Sequence, residues 1–193
     1  MKAMQARLCR KNQLLFIAAL LLALRVERSH EGKQNTALYF RSIEKSYNPK
    51  YVDSFACNIS TDRSTISTSL NIAKNVSVDF WMKVAIAFKQ QASKKYRSIL
   101  SFNVNLCEVL RNEFNQQGLV HLWIRNLQKY SNMPRTCPWK AGSYYWLNLR
   151  PEAGTIPKFI SAGLFRIDTQ FYLKALNNEP FTNVTIVFEL HRD

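Results

Sequence analysis

The strongest constraint on what this chain can fold into is a period of two. Phe80, Met82, Val84, Ile86 and Phe88 alternate with Trp81, Lys83, Ala85, Ala87 and Lys89. Successive side chains of a strand point to opposite faces, so this pattern predicts a long strand with one buried face. Tyr96 to Leu106 repeats it, with Leu100, Phe102, Val104 and Leu106 on one side and Arg97, Ser101, Asn103 and Asn105 on the other. Gln90 to Lys95, between them, reads as a hairpin turn. Alternation is weaker over Ile66 to Ile72. It returns in Phe165, Ile167, Phe171 and Leu173, and again in Val184, Ile186, Phe188 and Leu190. Between these strand clusters the period changes. Leu106, Val109, Leu110 and Phe114 fall at helical spacing, as do Leu119, Leu122, Trp123, Leu127 and Tyr130 after Gly118. Two short helices, or one broken at Gly118, are expected around 107–130, stopped by Met133-Pro134. About seven to nine short strands with a helical insert predict an all-β fold, an antiparallel β-sandwich.

The amino terminus obeys other rules. Met1 to Gln13 carries Lys2, Arg7, Arg10 and Lys11 with no acid, and Leu14 to Leu24 is an apolar run of 11 residues halted by Arg25. A membrane-spanning helix needs roughly 20 apolar residues, so the layout predicts a secretory signal peptide rather than an anchor. Residues 1–29 are read as signal and loose tail, with cleavage between about 23 and 32, and residues 36–193 as one β-sandwich domain. Three sequons fit a secreted, extracellular chain: Asn58-Ile59-Ser60, Asn75-Val76-Ser77 and Asn183-Val184-Thr185. Cys57, Cys107 and Cys137 follow the leader, and an oxidising compartment favours pairing two of them.

From Val26 onward 22 basic residues face 13 acidic ones, a net charge of +9. Such a surplus can attract acidic glycans or anionic lipid, but the charges are scattered, as on a solvated surface. A secreted chain has no nucleic-acid partner to meet.

Motifs for chemistry are missing. His30, His121 and His191 sit in no catalytic setting, and the sequence has no serine elbow, phosphate loop or zinc spacing. Asp168 is the carboxylate considered for catalysis, and its place in the alternation makes it an outward polar residue. No catalytic, cofactor or metal-binding residue is assigned, and the chain is read as a non-enzyme.

Three blocks carry a resemblance. Cys107-Glu108-Val109-Leu110, then Cys137-Pro138-Trp139-Lys140-Ala141-Gly142-Ser143-Tyr144, then Gly163-Leu164-Phe165-Arg166-Ile167, in this order and spacing, resemble the ganglioside-activator and lipid-recognition family. Length, signal and sequons resemble its insect secreted relatives, the chemosensory protein A family. The resemblance implies a cup-like sandwich whose sheets splay around an apolar cavity, and a Cys107–Cys137 disulfide. Closing that loop would stabilise the fold by about 3–4 kcal/mol. Cys57 departs from the pattern, having no later partner, and is read as a buried free thiol or an intermolecular bridge.

The function the resemblance implies is binding of a hydrophobic small molecule or lipid, in gustatory or pheromone perception. The cavity set is Met82, Val84, Ile86, Phe88, Phe102, Val104, Phe165, Ile167 and Phe171, with Trp123 and Trp139 guarding the mouth. Arg111, Arg125, Lys129, Arg135 and Lys140 would greet an anionic head group or a membrane surface, or simply be a solvated helix face. The residue pattern alone favours a filled core, and the cavity rests on the resemblance. The alternative reading is therefore an extracellular interaction protein that binds a receptor or channel by its surface.

Overall fold

A computed structural model describes residues 36–76, 79–89, 95–111, 118–151, 156 and 160–192. The predicted leader, its cleavage region, the 90–94 turn and Phe114 lie outside them. Eight strands run in chain order: β1 (Thr36–Tyr47), β2 (Val52–Ile59), β3 (Ile66–Ile72), β4 (Phe80–Lys89), β5 (Arg97–Asn105), β6 (Gly142–Leu149), β7 (Gly163–Leu173) and β8 (Glu179–Arg192). Two helices, α1 (Leu106–Arg111) and α2 (Leu119–Lys129), stand between β5 and β6. The strands form a five-stranded sheet, in the order β1-β8-β7-β4-β5, and a three-stranded sheet, β2-β3-β6. Every pairing is antiparallel. The chain is thus an all-β sandwich, as the period of two predicts.

β8, β7 and β4 are the interior strands of the larger sheet, each hydrogen-bonded along both edges. Ala85, Asp168 and Thr185 line up across β4, β7 and β8 on the outer face. There Asp168 accepts hydrogen bonds from Thr185 Oγ1 (2.8 Å) and Arg166 Nε (2.9 Å). This is the outward polar role its position implies.

β1 carries no clean alternation. A bulge between Phe40 and Ser42 inserts Arg41, so that Leu38 and Phe40 share a face with Ile43 rather than with Ser42. Arg41 pairs with Glu189 on the neighbouring strand.

The smaller sheet is tied to the larger at the β1–β2 turn. Asn48 N–H donates to Phe181 O (3.0 Å), and the Tyr51 hydroxyl donates to Glu179 Oε2 (2.6 Å). The far edge of the small sheet is covered too: Leu147 N–H donates to Tyr130 O (2.8 Å), just past α2.

One end of the sandwich is a dense core. Val52 and Ile72 from the small sheet pack there with Phe80, Met82, Leu173 and Phe181 from the larger one. The Phe80 ring meets Trp139 at 5.4 Å, Phe181 at 5.1 Å and Phe171 at 5.6 Å between centroids. Full burial of side chains of this size contributes about 1.5–3 kcal/mol each.

The helical insert starts where expected, and Trp123 and Leu127 pack against the core as the spacing predicts, but Leu122 does not. Leu122 is 41 % exposed, while Ile124 is 1 % and His121 6 % exposed. The packed stripe of α2 runs through Val120, Trp123, Ile124 and Leu127, with His121 buried beside it, and a buried histidine gives no apolar signal. α2 also ends at Lys129, ahead of Met133-Pro134.

Cys107 and Cys137 form a disulfide with Cα atoms 5.5 Å apart, joining the start of α1 to the loop before β6. This is the pairing the family likeness implies.

Candidate ligand-binding interior

Directly opposed residues of an antiparallel ladder share a face, so the register reads out the inner surface row by row. Phe40, Phe188, Phe165 and Phe88 cross β1, β8, β7 and β4. Their rings form a ladder with centroid spacings of 6.4, 5.3 and 4.9 Å. The next row is Ile43, Ile186, Ile167 and Ile86, extended to Leu100 on β5. Then come Lys45, Val184, Thr169, Val84 and Phe102, and after them Thr182, Phe171, Met82 and Val104.

The facing surface of the small sheet is shorter. Val52 and Ile72 open it, Phe55, Leu70 and Tyr144 follow, then Cys57, Thr68 and Trp146, and finally Ile59 and Ile66.

Burial along these rows is uneven. At one end Val52, Leu70, Ile72, Phe80 and Met82 are buried, and at the other Phe40, Phe165, Ile66 and Leu190 are. Between them the isoleucine row and the facing Phe55, Cys57, Thr68 and Trp146 are only half-buried. An apolar side chain that points between two sheets yet keeps accessible surface has neighbours that do not fill the space around it. Inward side chains are therefore buried toward both ends of the rows and half-buried across the middle.

The cavity residues expected from the sequence fall into three groups. Met82, Val84, Ile86, Phe102, Val104, Ile167, Phe171 and Trp123 join one continuous cluster, which reaches Phe55 and Trp146 on the small sheet. Phe88 and Phe165 belong to the aromatic ladder at its border. Trp139 is 3 % exposed and forms part of the dense core, in contact with Tyr144 at 5.6 Å, so it is a floor residue and not a guard at the mouth. Trp123 stands 5.8 Å from Phe102, where α2 lies over β5.

None of the cavity residues expected from the sequence lies on the small sheet. Phe55, Cys57 and Trp146 carry that wall, and the signal for its sheet is the weak alternation over Ile66–Ile72, which is β3. Cys57 is a free, half-buried thiol whose pKa is pushed up by burial, with Lys45 partly opposing the shift. Lys45 closes the seam between β1 and β2, donating to Phe55 O and lying 5.8 Å over its ring. Trp146 Nε1 is buried with no hydrogen-bond partner.

The remaining sites are exterior. Asn58 and Asn75 are exposed, and Asn183 is half-buried with Nδ2 donating to Ser46 Oγ (3.2 Å). Arg111, Arg125, Lys129, Arg135 and Lys140 are all exposed. Among the described residues no helix is long and apolar enough to cross a membrane.

The class these features define is a two-sheet antiparallel sandwich with an apolar interior whose middle rows are half-buried. Residues 82–167, from β4 into β7, match the family model described as Protein of unknown function (DUF1091). No curated protein matches the chain. Among solved structures, the crystal structure of chicken MD-1 complexed with lipid IVa is similar, with 13 % identity and a TM-score of 0.35 over 81 % of this chain and 97 % of that one.

Proposed function

We propose that this protein is a secreted, non-catalytic carrier of a hydrophobic, lipid-like ligand held between its sheets, in the service of chemosensory perception. One observation carries the reading: the band of half-buried inward side chains, Ile43, Ile86, Ile167 and Ile186 facing Phe55 and Trp146, between two tightly buried ends. Each methylene moved from water into such a band gains roughly 0.8 kcal/mol, so a chain of about ten carbons gains on the order of 8 kcal/mol before the cost of association. The Cys107–Cys137 bridge and the exposed sequon at Asn58 suit an extracellular setting. The chemosensory role follows the sequence resemblance alone. Delivery needs an outer surface toward a receptor, channel or membrane, and the basic side chains of α2 and the loop after it supply one.

Native mass spectrometry of the secreted glycoprotein tests this reading. A retained adduct of lipid mass, displaced by added long-chain ligand, is expected. A bare glycoprotein mass that no long-chain additive changes would leave a packed-core interaction protein instead. N-terminal sequencing of the same material should begin between residues 24 and 33.

A further inference from the structure

The inward rows of the larger sheet described above contain one charged side chain. Lys45, on β1, opposes Val184 of β8 and so points to the same face as Thr169 and Val84, while Glu44 beside it points to the outer face with Thr185 and Asp168. A cation on an otherwise apolar surface calls for a counter-charge. Among the described residues no carboxylate pairs with Lys45.

Its place is the seam where the two sheets meet at β1 and β2. The Lys45 ammonium donates to Phe55 O and lies 5.8 Å over the inward-facing Phe55 ring. An ammonium has three donors, so two are left over. The side chain is exposed, and a ligand can reach those donors. Beside Phe55 on the small-sheet wall stand the Cys57 thiol and the Thr68 hydroxyl, opposed across β2 and β3 and both half-buried. Burial pushes the Cys57 thiol up, so at neutral pH it remains an uncharged S–H and does not neutralise the lysine. The adjoining row on β1, β8, β7 and β4 is the half-buried isoleucine row.

An inward lysine can also guard an edge strand against pairing with another chain. At Lys45, however, the edge of β1 is already met by β2, whose carbonyl the lysine itself bonds. Spare ammonium donors next to a thiol and a hydroxyl, at the margin of an apolar band, match a head group that carries one negative charge and only accepts hydrogen bonds.

We propose that the ligand of the interior is a long-chain carboxylate, its head group held by Lys45 at the β1–β2 seam and its chain laid along the isoleucine row. This rests on the carrier reading above and adds the head group to it. The test titrates delipidated secreted protein, reported by a displaced fluorescent naphthylamine, with decanoate, 1-decanol and decylamine, which share one chain. Decanoate should bind about tenfold tighter than decanol, the scale of one charge-assisted hydrogen bond, and decylamine should bind weakest. Lys45→Met, an exposed change whose fold is checked by circular dichroism, should erase the advantage of decanoate and leave decanol unchanged, whereas Lys45→Arg should keep it. Equal affinity of the natural protein for decanoate and decanol, or an advantage that survives Lys45→Met, would overturn the head-group assignment while the carrier reading stands. Failure of all three compounds to displace the reporter would sink both.

Discussion

Gly163 opens β7 with φ +148°, and a Cβ built on it would lie 2.6 Å from Phe88 Cε2, 3.1 Å from Phe88 Cζ and 3.2 Å from the Lys89 carbonyl oxygen. Two costs therefore attend Gly163→Ala. Positive φ strains any L side chain by about 1–3 kcal/mol. The contact adds an overpacking cost of about 1–3 kcal/mol, because Phe88 is held in the aromatic ladder 4.9 Å from Phe165 and cannot simply swing away. Gly142 provides the control: its φ is +144°, but nothing lies within 4 Å of its Cβ position. Gly142→Ala should pay for conformation only, and the loss of unfolded-chain entropy is common to both variants. Urea unfolding followed by tryptophan fluorescence, with the disulfide intact, compares them. With a slope of about 2 kcal/mol/M, Gly163→Ala should melt roughly 0.5–1.5 M below Gly142→Ala. Adding Phe88→Leu should shrink that gap. Equal midpoints for the two alanine variants would refute the close packing of Phe88 on the start of β7.

Two further substitutions report on other parts of the fold. Ile124→Ala should cost about 2–4 kcal/mol, whereas Leu122→Glu should stay within about 0.5 kcal/mol, both read as urea midpoints. Equal losses would mean that the phase of α2 is wrong. In the β2–β3 turn, hydrogen bonds from Ser60 and then Ser64 hold the Asp62 carboxyl down from 3.8 to about 2. A depressed folded pKa adds stability that is present above the unfolded value and is lost as the pH falls from about 4 to about 2. Asp62→Asn should remove that part of the acid sensitivity, seen as a flatter pH dependence of the midpoint, and the effect is small because the group is fully exposed.

How much was legible follows from where the alternation is kept. β4, β5, β7 and β8 pair in register and carry an apolar residue at nearly every inward position, so the larger sheet could be read from the sequence apart from its edge. β1 was lost because the bulge at Arg41 moves its inward set from Phe40 to Ile43. The small sheet was faint because its inward row mixes Cys57 and Thr68 with Trp146, a composition that scores as polar. On α2, Leu122 satisfies the helical spacing as well as Ile124 does; only the packing of His121 and Ile124 chooses between them. Trp139 looked like a mouth residue from its neighbourhood in the chain. The disulfide at Cys137 and the ladder that sets Val76 against Trp139 bring it instead onto Phe80.

The uneven burial divides the molecule's work. The dense end joins both sheets through Val52, Ile72, Phe80 and Phe181, and the aromatic ladder stiffens the larger sheet two rows beyond Val84. Stability is marginal in any domain, about 5–15 kcal/mol, so the two tightly buried regions must supply what a half-buried middle does not. The isoleucine row is well suited to that middle. β-branched side chains hold their rotamers at χ1 whether or not a neighbour presses on them, so a wall of Ile43, Ile186, Ile167 and Ile86 keeps its shape without a filling. Leucine or methionine there would collapse inward with less resistance.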